Sequence, residues 1–170
     1  MADTNIHSSY YEKMVEHLFI SEILETAWLS GQLQIEVSRA EIDNSGYDIV
    51  LECNNIIRHV QLKCSDENAT TASQNVNIKL ATKPSSCIIW ITRAYLSDRS
   101  KYQLSYSFFG TEAGGRLPDL SNFKVARHSR ANAKGEKKER PNIRVIPKGS
   151  FESIGNTKHL LNVLFNLDLS

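Results

Sequence analysis

Cysteine, proline and long apolar runs are scarce in this chain of 170 residues. Its three cysteines, Cys53, Cys64 and Cys87, are odd in number and form no CxxC pair. That argues against both a disulfide framework and a zinc site, and buried thiols are the expectation. No stretch approaches the roughly 18–20 apolar residues of a membrane span. The first residues, Met1 to Asn5, lack the basic and apolar regions of a signal peptide, so the expectation is a cytoplasmic protein with no membrane partner. A formal net charge of +1 provides no global field to steer nucleic acid, and any such binding must come from local clusters. The histidines fall into no HExxH or HxH motif, and the GxSxG and P-loop signatures are missing as well, which sets those hydrolase and nucleotide-binding classes aside. Internal repeats and heptads are also absent.

What the chain does have is a 41% hydrophobic composition, enough for one domain with a proper core. Its most informative stretch runs from Gly46 to Ser65. Two apolar, β-branched runs flank Asn54-Asn55, and asparagine accepts the positive φ that a two-residue hairpin turn demands. If Cys53 pairs with Ile56, counting outward sets Asp48 opposite Gln61, and the period of two places Lys63 on the same face. Ile49, Leu51, Val60 and Leu62 then form an apolar opposite face.

Around this hairpin the pattern predicts a first helix from Ser9 to about Ser30, with Gly31 as its C′ residue. Val15, Leu18, Phe19, Ile23 and Leu29 fall on one side of it, Lys13, His17 and Ser21 on the other. Glu22 lies inside the apolar arc, where an unpaired carboxylate is costly. Leu33 to Arg39 alternates like a strand. Beyond the hairpin, a short helix is expected over Ala72 to Ala81, a central strand over Cys87 to Thr92, another strand over Tyr102 to Phe109, and a terminal helix over Asn156 to Leu167. From Phe123 to Lys148 the composition turns basic, with Lys124, Arg127, Arg130, Lys134, Lys137, Lys138 and Arg140 among its cations; Ala131 to Pro141 reads as a mobile loop and Asn142 to Ile146 as a strand.

A glutamate on the first helix, an aspartate on the following strand and Gln-x-Lys on the next resembles the PD-(D/E)xK nuclease superfamily. The resemblance covers roughly residues 9 to 92. It implies an α/β (α+β) fold with a restriction-endonuclease-like core, a central mixed sheet flanked by helices, within a single domain of residues 1–170. A C-terminal strand-helix extension, 102–170, would carry the basic loop, about 124–148. It further implies that Asp48 and Gln61 hold a divalent metal, usually magnesium, with manganese as a substitute, and that Lys63 positions or activates the attacking water. Glu22 would be the helix carboxylate, with Glu25 as the fallback, and the Leu62 carbonyl a further ligand. Tyr47 replaces the proline of the motif, and Gln61 replaces the commoner acidic residue.

Chemistry supports these residue types on its own terms. A phosphodiester is anionic and resists nucleophiles, so its hydrolysis needs a hard cation to neutralise charge and lower the pKa of water. Magnesium takes oxygen ligands and keeps several waters, which suits one or two carboxylates, an amide oxygen and a backbone carbonyl. A literal match elsewhere, Pro118-Asp119 with Glu136-Lys137-Lys138, is rejected because Gly135 to Arg140 contains no apolar residue to anchor a strand. The resulting expectation is a metal-dependent nuclease acting on nucleic acid, DNA rather than RNA, and functioning as a homodimer where both strands are cut. A catalytically inactive nucleic-acid- or protein-binding module of the same fold is the alternative.

Overall fold

The computed structural model describes residues 8–39, 45–130 and 135–169. Among these residues the mixed α and β architecture has two sheets and two α-helices. The larger sheet takes six strands in the order β1-β2-β3-β5-β6-β9: β1 Glu36–Arg39, β2 Ile49–Cys53, β3 Ile56–Asp66, β5 Ser86–Leu96, β6 Lys101–Gly110 and β9 Glu152–Ile154. Among the described residues only β3 and β5 run parallel. The crossover between them carries β4, Ser73–Asn77, which joins β8, Glu139–Pro147, and β7, Lys124–Arg127, in a second sheet of order β4-β8-β7.

The hairpin forms with the expected register. Cys53 faces Ile56 and Ile49 faces Val60, while Asn54 and Asn55 adopt φ values of 50° and 62°, the left-handed pair that a tight turn requires. Ile49, Leu51 and Val60 are fully buried on the face covered by α1, Ser8–Gly31, and α2, Thr157–Phe165. Each such side chain removed from water contributes about 1.5–3 kcal/mol.

β5 explains the layering. Its residues alternate, so that Ile89 and Ile91 join the helix-side core while Ile88 meets Val76, Leu80, Phe109 and Ile146 beneath the small sheet. The apolar run Cys87–Thr92 is therefore covered on both sides, as its composition predicts, but helices cover only one side. The other cover is a sheet, and β6, β9 and α2 complete the architecture from beyond residue 92.

Several expectations need correcting. The span 72–81 is β4 followed by a 3-10 turn over Ile78–Thr82, capped by the Asn77 side chain. The strand is fixed by pairing with β8, Ser73 opposite Pro147 through Asn77 opposite Ile143, a contact between segments distant in the chain. The strand expected over Asn142–Ile146 is β8, which starts earlier, at Glu139, and so takes in the last three residues of the expected loop; it pairs with β4 on one side and β7 on the other, and residues 131–134 lie outside the described residues. The buried ridge of α1 is Val15, Phe19, Ile23 and Ala27, while Leu18 and Leu29 are exposed. A helix lying on a sheet buries one i, i+4 ridge, narrower than a half-helix arc. The left-handed residue that ends α1 is Gln32, φ 56°, one beyond the expected Gly31.

Candidate active site

Unequal strand lengths create the site. β3 has 11 residues but β2 only five, so β2 ends its pairing at Val60 and leaves the second half of β3 bonded to β5 alone. Asp48, just before β2, closes the gap: its N–H donates to the Val60 carbonyl at 2.9 Å, and its Oδ2 accepts the Leu62 N–H at 2.6 Å. In a strand the N–H and C=O of one residue point to the same side, so the Leu62 carbonyl is also directed at this opened edge. Gln61 and Lys63 project from the opposite face of β3 to Leu62. Asp48, Gln61, Leu62 and Lys63 together line a cleft of about 790 Å³.

The first-helix carboxylate at this cleft is Glu16, with Glu12 one turn earlier. Glu22 lies elsewhere: it accepts a hydrogen bond from Thr157 Oγ1 at the first turn of α2, where the positive end of a helix favours a carboxylate. Glu22 and Glu25 line a separate cleft between α1 and the β5–β6 hairpin. Burial, and then the Glu22 charge, push the Tyr106 phenol upward. Glu22 thus ties the two helices together, and neither Glu22, expected at the metal site, nor its fallback Glu25 lines the Asp48 cleft.

Glu16 is 6% exposed and is held at both oxygens, Oε1 by Arg39 Nε at 2.8 Å and Oε2 by Lys13 Nζ at 2.7 Å. Burial alone would raise its pKa, but the hydrogen bonds and charges of Lys13 and Arg39 outweigh it and hold the carboxyl below its ordinary range. The helix end that carries Glu12 and Glu16 is riveted by Arg93, which stacks on Tyr11 at 4.8 Å and pairs with Asp66 through Nε at 2.5 Å and Nη2 at 3.1 Å. The hydrogen bond from Arg93 holds the Asp66 carboxyl low. The cleft therefore joins three carboxylates, Glu12, Glu16 and Asp48, to three cations, Lys13, Arg39 and Lys63.

The donor set suits a hard cation. Gln61 is 9% exposed, and among the described residues its Oε1 has no hydrogen-bond partner. A buried amide oxygen left in that state costs about 1–3 kcal/mol unless something accepts its lone pairs. Among the described residues no group of three His, Cys, Asp or Glu side chains forms a cage.

The remaining candidates divide. Ser73, Gln74 and Asn75 of β4 form the far wall of the cleft, and β4 is paired through β8 to β7. Lys124, Arg127 and Arg140 are exposed on these strands, while Arg130, Lys137 and Lys138 are exposed beside them; Lys134 lies outside the described residues. Arg127 is partly neutralised by Glu139 at 3.4 Å. Tyr47 lines the cleft with its ring against His59, whose Nδ1 meets the Pro84 carbonyl at 2.8 Å. Asp119 of the rejected literal motif caps its own turn, accepting from Ser121 N and Oγ. All three cysteines are free thiols, and burial pushes Cys64 up to about 11. Comparison with family models, curated proteins and solved structures finds no match for this chain.

Proposed function

We propose that this protein is a metal-dependent nuclease with a restriction-endonuclease-like core, hydrolysing phosphodiester bonds in nucleic acid, DNA in the first instance. The observation that carries this reading is the meeting of Asp48, Gln61, Leu62 and Lys63 at an opened strand edge, with an unpartnered amide oxygen among the described residues. Asp48, Gln61 Oε1 and the Leu62 carbonyl are the groups to hold magnesium or manganese, while Glu12 adds negative charge from the helix wall. When bound, the ion supplies charge neutralisation and lowers the pKa of water. Lys63 shares the Gln61 face and positions the attacking water beside the phosphate. The cations of β7 and β8 take up backbone phosphates further along the strand.

Asp48→Ala and Lys63→Ala are each expected to abolish magnesium-dependent cleavage of plasmid and oligonucleotide substrates while circular dichroism stays native. Cleavage that survives both changes overturns the assignment. The amide at Gln61 favours a second reading, a binding module of this fold without chemistry, because a glutamine supplies one charge fewer than the usual acid. Calorimetric titration with magnesium separates the two: heat that disappears in Asp48→Ala belongs to the nuclease, and no heat with intact nucleic-acid binding belongs to the module. Cutting both strands of a duplex would require two copies of the chain.

A further inference from the structure

Arg39 offers a feature that neutralising Glu16 does not account for. One buried carboxylate is met by two cations, and Lys13 already satisfies Oε2. Arg39 uses only Nε, toward Oε1, so among the described residues its two Nη groups make no hydrogen bond. The Arg39 side chain is 45% exposed, whereas that of Glu16 is 7% exposed. A guanidinium anchored from behind at Nε presents its remaining donors as a planar fork, the shape that matches two oxygens of one phosphate.

Register places the fork where a phosphate would pass. Arg39 pairs with Ile49, one residue from Asp48, across the roughly 4.8 Å that separates neighbouring strands. Ile49 faces the helix-side core, and Arg39 likewise turns to that side to meet Glu16. Gln61 and Lys63 approach from the opposite face of the sheet, and the Asp48 carboxylate meets the opened edge between them at the Leu62 N–H. All of them line the one cleft.

We infer that Arg39 is the phosphate clamp of this cleft, gripping two non-bridging oxygens of a nucleic-acid phosphodiester through Nη1 and Nη2, with Glu16 and Lys13 as its positioning residues. The inference rests on the proposed nucleic-acid reading, but on binding and not on cleavage. Arg39 needs no metal to do this, so its contribution is measurable in a chelator.

The test is fluorescence anisotropy of a short labelled DNA oligonucleotide with the full chain in EDTA, across a salt series. Arg39→Ala is expected to weaken binding about tenfold and to lower the slope of log affinity against log salt by about one. Arg39→Lys keeps the charge and loses the fork, so affinity falls while the slope stays; Glu16→Gln loosens the anchor and behaves the same way to a smaller degree. Wild-type affinity and slope in Arg39→Ala overturn the clamp, as does a wild-type chain that binds no oligonucleotide. If Arg39→Ala fails to fold, Arg39→Lys decides: unchanged affinity there overturns the fork. Wild-type protein that binds through Arg39 but never cleaves with magnesium refutes the nuclease reading and leaves the clamp standing.

Discussion

Whether a glutamate serves the cleft depends on a displacement of six residues along one helix. Glu16 and Glu22 both reside on α1, yet the first is clasped by Lys13 and Arg39 at the cleft and the second by Thr157 at the start of α2. Because the folded pKa of Glu16 lies below the ordinary value of 4.5, its contribution to stability is fully present above that value and is lost as pH falls through the lower, folded one. Glu16→Gln is therefore expected to cost about 1–2 kcal/mol at pH 7. The two proteins should converge in acid below the folded pKa, as measured by urea midpoints at both pH values; a cost independent of pH would refute the charge-based account. Arg58 makes the complementary point. It lies on the hairpin face expected to be apolar and is 0% exposed, yet its contacts are Thr111 O at 3.0 Å, Ser85 Oγ at 3.4 Å and the Phe108 ring, with no carboxylate among them. The local alternation places it on that inward face, but its buried partners, Ser85, Thr111 and Phe108, lie 27 to 53 residues further along the chain.

Among the elements, the hairpin was the most legible because its information is local: two strand-forming runs, two asparagines and a period of two are sufficient for the register. Asn55→Gly is expected to raise stability by roughly 0.5 kcal/mol, and Asn55→Val to lower it by about 1–2 kcal/mol, since a β-branched residue resists the left-handed conformation. Chemical denaturation reads both, and a neutral Asn55→Val would refute the turn. The helix was legible in extent but not in facing. Its apolar residues spread round the cylinder, so that Tyr10, Leu18, Leu24, Trp28 and Leu29 remain exposed while one ridge is buried, and the choice of ridge belongs to the sheet beneath it. β4 was misassigned for a different reason: its partner, β8, lies about 70 residues along the chain, beyond the reach of any local pattern.

At the scale of the whole molecule, the site lies at an edge between layers, with α1 above the main sheet, β4 below it and the second half of β3 between them. If Asp48 and Gln61 hold magnesium there, binding must stabilise the fold. A metal present at a hundredfold excess over its Kd adds about 2.7 kcal/mol, roughly 5–10 °C in Tm for a chain of this length, and Asp48→Ala should abolish the shift. A shift that persists in Asp48→Ala places the metal elsewhere. The sequence by itself determined the hairpin and its register, because turn chemistry and strand periodicity act over a few residues. It also determined that Cys87 to Thr92 would be buried on both sides, since no other setting suits so apolar a strand. Only the tertiary structure decided which helix carboxylate meets the Asp48 cleft, that a small sheet covers the other side of the main one, and that Arg39 is anchored with its fork free among the described residues. Those outcomes depend on how α1 is rotated and where α2 and β8 return, which are settled by contacts between residues far apart in the chain.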